Sequence, residues 1–239
     1  MLVFDIETVG LPFESFDEAQ QEYLLRYAAT PEEQERKISE LALSPITGQI
    51  VTIGMMMMKS TADGTTMREV AYTLDPALTD NDGVIESVLP SGATAYASSE
   101  RTLVENFWKL LAANPGVHLV SFNGRGFDAP WLMLRSAVLG VRPSRNLMDG
   151  TKFSYANHTD LLDKLTFFNR SSSGATRAFN FDFFAKAFGV TSPKAAGVDG
   201  SKVSDLFAKG AYADIAEYCL RDVRATWELY QKWESLLKV

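Results

Sequence analysis

The stretch Leu2-Val3-Phe4-Asp5-Ile6-Glu7-Thr8 places two carboxylates two residues apart inside an apolar run. Such a run reads as a buried strand, in which residues i and i+2 point to the same side. Two carboxylates there repel one another, and burying them is costly unless something positive lies between them. Two further acidic constellations stand out. In "SFNGRGFD" (121–128) a strand runs into a turn and Asp128 opens the following helix; in "EYCLRDV" (217–223) Tyr218 and Asp222 lie four apart on one helix face. Singly, these have ordinary uses, as a helix cap and as a surface pair. In an open α/β sheet, however, strand ends and helix starts meet at one place, where all four carboxylates can gather. Four such charges need cations. Hard oxygen ligands select Mg²⁺ or Mn²⁺, whereas zinc asks for His or Cys, of which the chain has only His118, His158 and Cys219. Two divalent ions ~3.5–4 Å apart stabilise both the attacking and the leaving oxygen of a phosphoryl displacement.

"FDIET", "NGRGFD" and "YCLRD" together resemble the three motifs of the DEDD exonucleases: DxE, then Asn-x2–3-(Phe or Tyr)-Asp, then Tyr-x3-Asp or His-x4-Asp. Glu217 stands where the histidine of the second variant falls, so the chain resembles the tyrosine (DEDDy) branch. It is especially similar to predicted exonucleases related to the proofreading domain of family-B DNA polymerases, and "HTDLLD" and "FFAKAFGV" fit that subgroup as well. The resemblance runs from residue 1 to about residue 235. It implies an RNase H-like α/β fold, a mixed five-stranded sheet with helices on both faces, and a stand-alone enzyme without a polymerase portion. The implied activity is metal-dependent 3′→5′ exonucleolytic hydrolysis of single-stranded nucleic acid, DNA favoured over RNA, to nucleoside 5′-monophosphates. On that resemblance Asp5, Glu7, Asp128 and Asp222 hold two Mg²⁺ or Mn²⁺ ions and Tyr218 orients the attacking water. A tyrosine with an ordinary pKa of ~10 is a poor base at neutral pH, so geometry is the expected role of its hydroxyl.

Thr8, Asn123 and Phe127 are the candidate contacts to the terminal nucleotides; core packing is an equally good use of Phe127. Arg125, Arg170, Arg177, Lys186, Lys194 and Lys202 are candidate strand contacts, although a solvated cation is the default for each. Asp160 either supports the site or caps a turn, and His118 and His158 are expected to be structural. Two other functions fit the same motifs: trimming of RNA, or non-catalytic binding of nucleic acid. An α/β domain acting through protein contacts is a third.

The elements that must position these residues follow from patterning. At 239 residues with 46% hydrophobic content the chain can bury a substantial core, and it is read as one domain over 1–239. Its net charge of −7 argues against binding nucleic acid by bulk attraction. One cysteine, no ~20-residue apolar run and no signal segment lead to the expectation of a cytoplasmic protein. Residues 13–44 read as a helical insertion, with a capping box at Ser15/Glu18 and a second helix start at Thr30-Pro31-Glu32-Glu33. Strands are expected at 48–59 and 68–74, a loop at 75–97, a helix after Ser99, a strand near 117–123 and a helix from Asp128. A short strand near 158–162, a helix ending at Gly189, a loop over 193–203 and a long amphipathic final helix complete the pattern. Met55 to Met58 are expected to lie in a core strand, because successive thioethers alternate faces and cannot converge on one ion.

Overall fold

The computed structural model describes residues 1–61, 64–192 and 202–238. The first strand, β1 (Leu2–Gly10), is central and pairs on both sides: antiparallel with β2 (Gly48–Thr61) and parallel with the short β6 (Leu119–Ser121). Its side chains alternate between two cores, as a strand buried on both faces requires. Leu2, Phe4 and Ile6 pack with α3 (Glu100–Ala112) and α4 (Asp128–Val138). Val3 packs with α5 (Leu161–Leu165), α6 (Phe181–Ala187) and α8 (Tyr212–Leu236). Asp5 and Glu7 follow the parity of Val3. A register shift between Glu7 and Thr8 offsets the alternation by one, and Val9 thereby joins Ile6 in the first core.

The methionines obey the same alternation: Met55 joins the first core, Met56 and Met58 the second. Beyond β2 lie β3 (Gly64–Leu74), β5 (Thr94–Ser98) and β4 (Ile85–Val88); beyond β6 lies β7 (His158–Asp160). The strand order is β4-β5-β3-β2-β1-β6-β7, a mixed seven-stranded sheet in an α/β fold. Five strands were expected, and the two extra ones arise within the stretch read as a loop. The buried apolar side chain of β5 is Ala95, under Ala216 and Leu220, and its small apolar area leaves little alternation to read. All four residues of β4, at the sheet edge, are exposed, so no buried face marks them. The two strands form a hairpin closed by Gly92 at φ 86°, a backbone conformation that suits glycine.

The insertion holds α1 (Glu18–Leu25), α2 (Pro31–Ser39) and two short 3-10 turns. Thr30 and Glu33 form the capping box of α2, with Pro31 opening the helix. The box of α1 is Asp17 with Gln20, not Ser15 with Glu18: the Ser15 hydroxyl donates to the Pro12 carbonyl inside the preceding 3-10 turn and is already used. Before β2, the chain passes close to the buried ion pair Arg135–Glu100, which fastens α4 to α3 through two 2.8 Å bonds. Glu100 Oε1 also accepts from Ile50 N at 2.8 Å. Most of the loop expected over 193–203 lies outside the described residues. Among the described residues no helix is long and apolar enough to cross a membrane.

Candidate active site

Asp5 and Glu7 sit side by side on β1, and with Cys219 of α8 they bring a ligand atom each within 4.8 Å of one another. Glycine explains how α8 comes so near. Gly54 lies opposite Asp5 in the β1–β2 ladder, and a Cβ there would stand 2.7 Å from Cys219 Sγ and 3.3 Å from Val223 Cγ2. Its bare backbone therefore lets α8 lie directly on the sheet, which carries Tyr218 and Asp222 to the acids of β1.

Asp128 arrives from a different direction. β6 pairs with only Leu2 and Val3 of β1, so the amide of Ile6 on that side has no strand partner. Asp128 Oδ1 accepts from Ile6 N at 3.0 Å, between the two β1 carboxylates. The turn from β6 to α4 makes this reach possible: Asn123 adopts φ 61°, and Cβ atoms at Gly124 or Gly126 would collide with Ser121 or Asn123. Asp160, fully buried at the end of β7, holds the turn in place. Its Oδ1 accepts from Asn123 N (2.9 Å) and Leu162 N (3.0 Å), and its Oδ2 from Arg125 N (2.9 Å) and Arg170 Nη2 (3.2 Å). Asp160 thus caps α5 and clamps the turn that carries Asp128.

Burial and mutual repulsion set the protonation of the cluster. Burial raises Asp5 well above the usual carboxylate range, with Asp128, Asp222 and Glu7 adding to the effect. Glu7 is raised by burial and then by Asp222 and Asp128. Asp128 is pushed up to about 7 by burial, against the opposing pull of backbone hydrogen bonds including that from Ile6. Tyr218 is raised by burial first and then by Asp222, Glu7 and Asp5, and its hydroxyl hydrogen-bonds Asp222. The phenol therefore keeps its proton. So does the Cys219 thiol, raised by burial and by the same three acids, which points at the Asp5 carbonyl (3.4 Å) and Oδ2 (3.6 Å). Cys219 was not singled out in the sequence, although it lies three residues before Asp222 and so shares its helix face.

Asp5, Tyr218 and Asp222 line a cavity of about 180 Å³, whose remaining wall includes Phe122, Asn180 and Phe181. A larger cleft of about 530 Å³ lies on the other side of the sheet, against Met55, Met57 and Leu110, and among the described residues no carboxylate lines it. The flanking candidates are placed as follows. The Thr8 hydroxyl donates to Ala42 O at 2.7 Å, tying β1 to the insertion. Asn123 Oδ1 accepts from Arg170 Nη1, and Phe127 packs on Trp131 with ring centroids 6.0 Å apart. The aromatic rings on the cavity are instead Phe122 and Phe181. Phe122 had a legible signal: it lies two residues beyond Val120, which shares the Val3 core.

Among the candidate cations, Arg170 is engaged by Asp163, Asp160 and Asn123. Arg125 donates to the carbonyls of Leu147 and Asp149 and lies 4.0 Å above the Tyr155 ring. Lys186 pairs with Asp182 at 2.8 Å, Arg177 covers the Phe179 ring, and Lys202 precedes α7 (Val203–Ala208). Lys194 lies outside the described residues. His118 and His158 bond to Thr159 and Ser121 at 2.9 and 2.7 Å, within the fold.

Among solved structures the chain is similar to the family B DNA polymerase of the archaeon Pyrobaculum calidifontis, with 20% identity and a TM-score of 0.57. The match covers 97% of this chain and 24% of the polymerase, so the chain spans about a quarter of that protein and shares its fold there. No match is found among curated proteins. A family model described as a predicted 3′-5′ exonuclease related to the exonuclease domain of PolB matches residues 68–238, a span that includes Asp128, Tyr218 and Asp222. The chain therefore belongs to the family of predicted 3′-5′ exonucleases related to the exonuclease domain of PolB.

Proposed function

We propose that this protein is a metal-dependent 3′→5′ exonuclease that removes nucleoside 5′-monophosphates from single-stranded nucleic acid, DNA in preference to RNA. The carrying observation is that acids from three separate elements gather at one place: Asp5 and Glu7 lie side by side on β1, Asp128 accepts from Ile6 N between them, and Asp222 lines the same cavity as Asp5. Without cations these acids relieve their mutual repulsion by holding protons; bound cations would relieve it with the acids ionised. The donor chemistry fits hard ions: all four acids offer oxygen, the ligand type that suits Mg²⁺ and Mn²⁺. Asp5, Glu7, Asp128 and Asp222 would hold two Mg²⁺ or Mn²⁺ ions. When bound, the ions would supply positive charge to the attacking water and to the departing oxygen.

The remaining work falls to the chain itself. α8 holds Tyr218 and Asp222 on one rigid face, and the protonated Tyr218 hydroxyl orients the water for attack on the terminal phosphorus. The new bond joins water oxygen to phosphorus, and the bond to the 3′ oxygen of the penultimate nucleotide breaks. That oxygen leaves with a proton as a new 3′ hydroxyl. Phe122 and Phe181 present ring faces beside the acids, suited to the terminal base.

Asp5→Asn and Asp222→Asn, each isosteric, are expected to abolish Mn²⁺-dependent shortening of a 5′-labelled DNA oligomer while the circular dichroism spectrum stays that of the wild type. Full trimming by either variant would overturn the assignment. A matched RNA oligomer run in parallel tests the DNA preference. Tight, metal-independent binding without turnover would instead establish a binding module.

A further inference from the structure

The cavity's aromatic wall does not stop at the cavity. Phe122 lies 4.9 Å from Phe181 and 5.8 Å from Phe184, centroid to centroid. Phe184 lies 6.4 Å from Phe179, and Phe179 lies 4.9 Å from Phe183. The Arg177 guanidinium covers the Phe179 ring at 4.4 Å. A continuous row of rings thus leads from beside Asp5 and Asp222 to the protein surface, ending in a cation.

The fold does not need the outer half of this row. α6 turns Phe181, Phe184 and Ala185 toward the core beneath α8, while among the described residues Phe179 and Phe183 join none of the hydrophobic clusters, and Phe183 is 58% exposed. Phe183 is not an isolated exposed ring: it is contiguous with Phe179 and, through Phe184, with the rings of the cavity, and a contiguous apolar patch marks a contact surface. The chemistry narrows the occupant. Bases stack on aromatic rings whatever their sequence, but only when unpaired. A chain of net charge −7 cannot gather nucleic acid by bulk electrostatics, so ring stacking is the attraction open to it.

We infer that the exposed Phe183 ring, with Phe179 and its Arg177 cation beside it and Phe184 linking them inward to the cavity, is the track on which the single strand lies as its 3′ end enters the cavity. This rests on the exonuclease reading above and adds what that reading leaves open: which surface holds the strand beyond the scissile nucleotide. It implies a substrate of several unpaired nucleotides, accepted without base preference along the track. It also implies binding that depends weakly on salt.

The test measures kcat and KM in Mn²⁺ for a single strand of about 12 nucleotides and for a dinucleotide. Wild type is compared with Phe179→Ala, Phe183→Ala and Phe183→Trp. Each alanine variant is expected to lower the ratio of kcat/KM for the long strand over that for the dinucleotide by about 5- to 150-fold, through KM. Phe183→Trp retains the ratio, because an indole stacks as well as a phenyl ring. For wild type, log affinity plotted against log salt is expected to fall with a slope of about −1, as for one or two phosphate contacts. If both alanine variants keep the wild-type ratio, the track is elsewhere and the exonuclease reading stands. If tryptophan loses the ratio as alanine does, stacking is not the interaction and the inference is overturned. If wild type cleaves neither substrate, the reading falls and the track with it.

Discussion

Replacing Asp128 by asparagine separates the two demands the site places on this residue. Asp128 is 3% exposed, and its carboxyl is held at about 7 against an ordinary 3.8. Because the folded-state value is the higher one, the native protein binds this proton more tightly than the unfolded chain does. The associated stability is fully present below pH 3.8 and is lost as pH rises through about 7. The span between those values, at 1.36 kcal/mol per pH unit, corresponds to about 4 kcal/mol of strain in the metal-free protein at pH 8. Asparagine keeps the oxygen that accepts from Ile6 N and removes the charge. Asp128→Asn should therefore melt above wild type in EDTA at pH 8, on the order of 10 °C for a chain of this size. The gap should shrink toward zero as pH falls to 4.

Thermal melts at pH 4, 6 and 8 in EDTA, followed by circular dichroism, measure this directly. Comparing the two proteins at each pH cancels the titration of groups distant from the cluster, whereas Asp5 and Glu7, which Asp128 raises, titrate together with it. Mn²⁺ should then narrow the gap: at one hundred times its dissociation constant it stabilises wild type by about 2.7 kcal/mol, and the variant by much less. A variant that melts at or below wild type at pH 8 in EDTA would refute the account of a repelling buried cluster. Equal stabilisation of both proteins by Mn²⁺ would refute the role of Asp128 in holding the ion.

Two further outcomes follow from particular contacts. Gly54→Ala drives a methyl group into Cys219 and should cost roughly 1–3 kcal/mol in urea unfolding, with a larger fall in trimming as α8 lifts from β1. Adding Cys219→Ala should restore most of both, and a Gly54→Ala protein as active as wild type would show that the close approach is not required. His158 is buried and held at about 3, mainly by burial and then by Arg125, so it stays neutral in the fold while the unfolded chain takes up a proton near 6.5. Folded stability should thus fall by up to about 5 kcal/mol as pH drops from 6.5 to 3. His158→Gln, whose amide can still meet Ser121, should lack this part of the acid sensitivity, and an unchanged stability–pH curve would contradict the assignment.

Much of the site was legible because its pairs are local. The spacing of Asp5 and Glu7 places them on one side of a strand, and that of Tyr218 and Asp222 on one face of a helix. The first helix of the insertion and the strand count were misjudged for equally local reasons. Ser15 had a competing carbonyl one turn back, and the alanine that β5 buries, Ala95, carries little hydrophobic signal. Phe127 was favoured over Phe122 because it stands inside a motif. The side on which each ring emerges depends on where β6 ends and how the following turn coils, and the Asp160 clamp decides that from a strand 37 residues away.

Backbone periodicity alone determined which acidic residues share a face, because a strand repeats every two residues and a helix every 3.6. Only the tertiary structure decided that three such faces meet. Gly54 admits α8 to the sheet, the short β6 leaves Ile6 N open, and Asp128 closes on it across 122 residues of chain. The protonation of the cluster was likewise decided there, since it depends on burial and on the distance between charges, and neither is written in any one segment.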